Sequence, residues 1–249
     1  MQDNKMPKVQ VHNLTKKFGD LLVLNDISFD VRSGEFLCIV GPTGCGKTTF
    51  LNSLTKLYEP TAGEILLDGE PVDLKKHNIA YIFQEYSTMP WLTVEENVGF
   101  GLDIKGVEKE KANALVNEYL DIVGLTKYRK YYPDQLSASM LQRVVIARAF
   151  ATQPDLLLMD EPYGQLDIQL RYHLEDELIS LWQRTGTTVI FITHNIEEAV
   201  YMGERILVLT NKPTSIKCAI DNNLPRPRDI ASPDFVKLRN EVTDLIKWW

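Results

Sequence analysis

The chain has 249 residues, 44% of them hydrophobic, enough to bury a substantial core as one large domain or two closely joined lobes. Its net charge of −7, with no long Lys/Arg run to offset it, argues against a nucleic-acid binder that works by bulk electrostatics. The 3 cysteines, Cys38, Cys45 and Cys218, lack metal-type spacing and suit a reducing cytoplasm as small buried or loop residues.

The first residues, Met1 to Lys5, open no apolar stretch, so no secretory leader is expected. No apolar run reaches the roughly 18 residues of a membrane span. Val9, Val11 and Leu14 are spaced for a strand edge, and Leu21 to Val31 is a second apolar segment that ends at the turn Arg32-Ser33-Gly34. The two predict a small β layer. Phe18, within it, is read either as core packing or as a platform for a flat ring such as adenine.

The apolar run Phe36 to Val40 leads into Gly41-Pro42-Thr43-Gly44-Cys45-Gly46-Lys47-Thr48-Thr49, which fits G-x-x-x-x-G-K-[ST] in the strand-then-helix context that a phosphate-binding loop requires. Gly41, Gly44 and Gly46 lack a Cβ, so several backbone N–H groups can converge on one anion. The helix that follows turns its unpaired N–H groups and the positive end of its dipole to the same point. Lys47 supplies a cation for the outer phosphates and Thr48 a hydroxyl for a magnesium ion. A nucleoside triphosphate is therefore the expected ligand.

Helix is predicted over Thr48–Leu57, strand over Gly63–Leu67 before the turn Asp68-Gly69, and a buried strand over Ile79–Phe83 that delivers Gln84 to the ligand crevice of an α/β sheet. From Ser87 to about Arg143 the pattern turns helical: Val94–Leu102, then Glu108–Val123 with Ala112, Leu115, Val116, Tyr119, Leu120 and Val123 apolar. This reads as an inserted helical lobe. A helix over Leu141–Ala151 precedes the strand Asp155–Met159, which ends in Asp160-Glu161. Carboxylates at that position can hold Mg²⁺ through water (Asp160) and orient or deprotonate an attacking water (Glu161). A helix is predicted over Ile168–Gln183 and a β-branched strand over Thr188–Ile192, followed by His194. That histidine is either structural or a contact for the terminal phosphate. Ile206–Leu209 and Ile216–Ile220 can pair as closing strands, and after a turn-rich stretch Pro233–Trp249 is predicted helical, with Phe235, Leu238, Val242 and Leu245 on one side.

In this order the motifs resemble the ATP-binding cassette (ABC) ATPases, over roughly Val9 to Leu245. Gly41 to Thr49 is similar to their Walker A motif, Leu156 to Glu161 to Walker B with its catalytic glutamate, and Gln84 to the Q-loop glutamine. Gly164-Gln165-Leu166-Asp167 looks like a loose D-loop, His194 like the switch histidine and Phe18 like the aromatic that stacks on adenine. The resemblance implies an α/β fold, a P-loop NTPase cassette with a RecA-like core, a small antiparallel β layer and an inserted helical lobe, in a single domain over 1–249. The β layer and core would take 1–86 and 152–220, the helical lobe with its signature loop 87–151, and the tail and last helix 221–249.

The resemblance also implies the site. ATP would be bound by Phe18, Gly41 to Thr49, Gln84, Ser137, Ala138, Ser139 and Asp167, with Mg²⁺ at Thr48, Gln84 and Asp160; Lys47, Glu161 and His194 would be catalytic. The signature departs from the family pattern: Leu136-Ser137-Ala138-Ser139-Met140 replaces Leu-Ser-Gly-Gly. In that family this loop closes across a head-to-tail dimer onto the phosphate of the other subunit, so Ala138 and Ser139 are expected to weaken closure or slow hydrolysis, or to mark a non-hydrolysing or slowly hydrolysing regulatory cassette paired with a second, competent one. Gln84 to Val98 looks like the segment facing a membrane permease, with contact expected near Gln84 to Trp91. Pro90-Trp91-Leu92-Thr93, Leu224 to Asp229 and Ser232 to Phe235 resemble the nitrate/sulfonate/taurine importers. Implied partners are a second cassette, alike or different, a permease and, indirectly, an extracytoplasmic solute-binding protein, with the chain peripheral on the cytoplasmic face. No nucleic acid is expected.

Overall fold

The computed structural model describes residues 6–164 and 167–246. In chain order its elements are β1 (Val9–Phe18), β2 (Leu21–Val31), β3 (Phe36–Val40), α1 (Lys47–Leu54), β4 (Ala62–Leu67), β5 (Glu70–Pro71), β6 (Ile79–Ile82), α2 (Val94–Ile104), α3 (Lys109–Ile122), α4 (Ala138–Ala151), β7 (Leu156–Asp160), α5 (Ile168–Thr185), β8 (Thr188–Thr193), α6 (Ile196–Met202), β9 (Arg205–Leu209), β10 (Ile216–Asp221) and α7 (Pro233–Ile246). The chain divides into two compact units, Met1–His77 with Thr188–Trp249, and Asn78–Thr187.

In the first unit, β2, β1, β4 and β5 form an antiparallel sheet in that order. Val9, Val11 and Leu14 are all buried although strict alternation would bury position 13. A register shift between Val11 and Leu14, with Asn13 in the left-handed region at φ 50°, resets the face. Gly63 lies against this irregularity: a Cβ there would stand 2.3 Å from the Asn13 carbonyl oxygen, so only glycine lets the strands meet.

Strand β3 runs parallel to both β8 and β9, and β10 closes antiparallel on β9. Every residue of β3 and of β8 is buried, as expected of parallel strands covered on both faces. Helix α1 ends at Leu54 rather than Leu57, because Lys56 takes φ 55° and turns the chain out of the helix. Helix α6, absent from the sequence expectation, has seven residues and is held at its C-terminal end by the tail. The buried Arg228 guanidinium donates to the carbonyls of Val200 (2.9 Å), Tyr201 (2.9 Å) and Gly203 (2.7 Å), and Asn222 donates to those of Val200 and Gly203. Burial and, after it, the neighbouring Arg226 charge lower the pKa of Arg228 to about 10. So short a helix is marginal without such support.

In the second unit β6 pairs parallel with β7, Ile82 opposite Met159; contrary to expectation only Ile82 of the strand is buried, and Phe83, just past its end, is exposed. Helix α2 opens with a capping box in which Thr93 accepts from the Glu96 N–H and Glu96 accepts from the Thr93 N–H. The fully buried Asn97 side chain accepts from the Met89 N–H (2.8 Å) and donates to the carbonyls of Met89 (3.1 Å) and Leu92 (3.0 Å), so the segment 89–93 is wound round one amide. Helix α3 buries Ala112, Leu115, Val116, Tyr119 and Leu120, the stripe its spacing predicts. Helix α4 starts at Ala138, three residues before the expected Leu141, because Ser137 caps it by accepting from the Met140 N–H (3.4 Å). This unit takes in β6, β7 and α5 together with the helices, and α4 packs on both β6 and α5. No helix among the described residues is long and apolar enough to cross a membrane.

Candidate functional site

Of the predicted site residues, Phe18, Gly41 to Thr49 and His194 lie in the first unit, and Gln84, Ser137 to Ser139, Asp160, Glu161 and Asp167 in the second. Gln165 and Leu166 of the expected D-loop lie outside the described residues.

In the first unit the phosphate loop leaves the buried end of β3 and enters α1. Gly44 takes φ 74° and Gly46 φ 117°, conformations that side chains rarely adopt. A Cβ on Gly46 would also approach Val23 Cγ1 to 2.8 Å and Leu24 Cδ2 to 3.2 Å, so the loop is packed tightly from behind. Gly46 caps α1, and no side chain occupies the place that Thr93, Ser137, Asp167 and Asn195 take at α2, α4, α5 and α6. The helix therefore offers its first N–H groups and its dipole to an anion. The Lys47 ammonium is held over the loop by hydrogen bonds to the carbonyls of Gly41 (3.0 Å) and Pro42 (3.1 Å). Burial raises the Cys45 thiol pKa, with Lys47 opposing it, so Cys45 packs as a neutral apolar side chain.

Val40 stands opposite Thr193 in the parallel register of β3 and β8, so His194 follows from the same sheet edge as Gly41. His194 is exposed; the next residue, Asn195, caps α6 by accepting from the Glu197 N–H (3.0 Å). Thr193 donates to the buried Glu198 (2.5 Å) and accepts from the Asn195 N–H (2.9 Å), which ties the strand end to the helix start. Phe18 is 43% exposed and so is not core. Its ring meets Tyr58 edge-on at 5.3 Å between centroids, and the Lys16 ammonium lies 4.9 Å from its centre. Phe18 is the last residue of β1 and stands opposite Leu21 of β2.

In the second unit Asp160, 6% exposed, ends β7, and Gln84 follows β6 at the same edge, exposed. Glu161 sits at φ 47°, left-handed for a residue with a side chain, so the chain turns sharply after the strand and re-aims its carboxylate. Tyr81, which the sequence reading passed over, donates to Asp160 Oδ2 at 3.4 Å. Its position in an apolar strand carried no signal of that contact. Ser137 and Ala138 are exposed and Ser139 is half-buried, but Ala138 and Ser139 form the first turn of α4 rather than a loop. Their N–H groups are thus among the unpaired donors of a helix start, and helical φ suits alanine and serine without glycine. Asp167 caps α5, accepting from the Leu170 N–H (3.0 Å).

The chain matches the ABC transporter family over residues 24–164. It is 42% identical over 250 residues to an uncharacterized ABC transporter ATP-binding protein of Methanocaldococcus jannaschii, covering 99% of this chain and 94% of that protein. It is also 42% identical over 229 residues to an aliphatic sulfonates import ATP-binding protein of Bacillus thuringiensis subsp. konkukian, covering 92% and 90%. Its fold is similar to a dimeric bacterial ABC transporter cassette, with TM-score 0.75 and 31% identity over 86% of this chain and 99% of that one. The same cassette is also solved in a post-hydrolysis state bound to ADP and Pi. With a glycine-capped phosphate loop and an acidic strand end both in place, the chain belongs to the ABC transporter family as an ATP-binding ATPase subunit.

Proposed function

We propose that this chain powers a membrane importer for a small solute such as nitrate, a sulfonate or taurine, by binding and hydrolysing ATP. The observation that carries the reading is the phosphate loop, where Gly46 at φ 117° opens α1 without a side-chain cap and Lys47 is held above it. The importer class rests on the likeness to the aliphatic sulfonates import subunit and on the segments around Pro90 and Leu224.

In this reading the backbone N–H groups of Gly44 to Thr49 and the Lys47 ammonium bind the phosphates, and Phe18 stacks on adenine. Thr48, Gln84 and Asp160 offer a hydroxyl, an amide and a carboxylate, an oxygen donor set that fits Mg²⁺. Held there, Mg²⁺ would supply charge neutralisation to the phosphates. Glu161 accepts the proton of the attacking water and His194 contacts the terminal phosphate. A second cassette, alike or different, contributes the Ser137 to Ser139 helix start across a head-to-tail dimer, and Asp167 belongs to the same interface. The core would then take 1–86 and 152–220 and the helical lobe 87–151.

A permease helix docks near Gln84 to Trp91 on the cytoplasmic face, and a solute-binding protein acts through that permease. A cavity of about 470 Å³ in the second unit, lined by Ile79, Phe83, Met89, Phe100, Ile104 and Arg148, supports this, as does Trp91 at 72% exposed. Glu161→Gln tests the chemistry. ATP affinity is expected to hold while phosphate release falls by about 100-fold or more. Unchanged turnover would remove Glu161 from the catalytic role, and lost ATP binding would point to a structural defect instead.

A further inference from the structure

We infer that the Thr214 hydroxyl is a positioning residue for the phosphate loop, orienting the Gly46 amide that faces the nucleotide. Thr214 lies in the turn between β9 and β10, far from the loop in sequence, and is fully buried. Its Oγ1 donates to the carbonyl oxygen of Cys45, in the middle of the loop. Its backbone is fixed as well: its N–H donates to the Val23 carbonyl (2.8 Å) and its own carbonyl accepts from the Asn25 N–H (2.8 Å), so the turn is stitched to β2. Thr214 is thus a rigid post with one hydroxyl aimed at one peptide of the loop.

The consequence follows from peptide geometry. The Cys45–Gly46 peptide is planar and trans, so its C=O and N–H point in opposite directions. Pulling the Cys45 oxygen towards Thr214 turns the Gly46 N–H away from it, towards the concave side of the loop where an anion collects N–H donors. Gly46, at φ 117°, has no Cβ to limit this rotation. Val23 and Leu24 fill the space behind Gly46, so apolar contact sets its position while the hydroxyl sets the direction of its donor. A free peptide could flip, and each nucleotide would then have to select the competent orientation, which lowers the apparent affinity by the competent fraction.

The inference rests on the reading that this loop binds ATP. The test compares the full chain with Thr214→Val, which keeps the shape and removes the donor, and Thr214→Ser, which keeps the donor. ATP affinity is measured by titration and the Gly46 backbone amide by ¹⁵N–¹H NMR, with and without ATP. Thr214→Val is expected to bind ATP about tenfold more weakly and to shift the Gly46 amide even before ATP is added, while Thr214→Ser stays within about twofold of the parent on both counts. Thr214→Val with parental affinity and an unmoved amide would overturn the inference. So would a tenfold loss in Thr214→Ser, which keeps the result decisive if the valine variant does not fold. If the parent bound no ATP, the ATP reading would fall, and the amide of the nucleotide-free chain would still decide whether Thr214 orients Gly46.

Discussion

The Tyr81 hydroxyl donates to Oδ2 of Asp160 at 3.4 Å, between two parallel strands whose ends carry Gln84 and Glu161. Burial raises the phenol pKa well above its ordinary value, and the Asp160 charge and the shared hydrogen bond raise it further. Tyr81 therefore stays protonated, and remains a donor, across any working pH. A carboxylate that holds a metal is oriented by such outer hydrogen bonds.

On the proposed reading that Asp160 holds Mg²⁺, removing that donor should show in the metal requirement. Tyr81→Phe is expected to raise the Mg²⁺ concentration needed for half-maximal ATPase activity by about tenfold, the low end for an outer-shell contact, because the bond is long. The effect should be the same at pH 6 and pH 9. An unchanged Mg²⁺ dependence would show that Asp160 needs no help from Tyr81.

The signature residues give a second test. Side-chain bulk in a loop predicts that Ala138→Gly with Ser139→Gly speeds hydrolysis; a helical first turn predicts otherwise. Since Ala138 and Ser139 already occupy helical positions behind the Ser137 cap, the double variant is expected to keep its ATPase rate within about twofold. It should also melt a few degrees lower, since two glycines in the first turn cost on the order of 1 kcal/mol together. A severalfold rise in turnover would restore the bulk argument.

The capping box of α2 ties stability to pH. The Glu96 carboxyl is held below its ordinary 4.5, first by the Thr93 N–H and then by the Thr93 hydroxyl. A depressed folded pKa contributes stability that is present above the unfolded value and is lost as pH falls through the folded one. Thr93→Ala is expected to cost about 1 kcal/mol at pH 7, roughly 2–4 °C in melting temperature for a chain of this size. The gap between variant and parent should narrow as pH falls below the ordinary carboxyl value of 4.5 and through the depressed folded pKa of Glu96. A gap independent of pH would separate the cap from Glu96.

Much of this protein is written in local sequence. Glycines before Lys-Thr, apolar runs such as Phe36 to Val40, and the stripe from Ala112 to Leu120 act through backbone freedom and periodicity, which a short window contains. They sufficed for the glycine loop before Lys47, the buried parallel strands β3, β7 and β8, α3, the closing pair β9 and β10, and the family; they overstated the burial of β6. Properties that depend on distant partners were not legible. Asn97 reads as a polar residue in a helix until it is seen bonded to Met89 and Leu92, and Arg228 reads as part of a proline-rich tail until its guanidinium is seen gathering the carbonyls at the end of α6. Phe18 could be core or platform on its pattern alone; only its place at the end of β1, beside Tyr58, decided that its ring is exposed. The start of α4 turned on one hydroxyl cap at Ser137, and the direction of the Gly46 amide turns on a threonine 168 residues further along the chain, reached only because β9 runs beside β3 and brings its following turn behind the loop. Local sequence chose the loop that can hold a phosphate. Tertiary structure decided which way its donors point, because a backbone amide is aimed by whatever holds the carbonyl on the other side of its peptide plane.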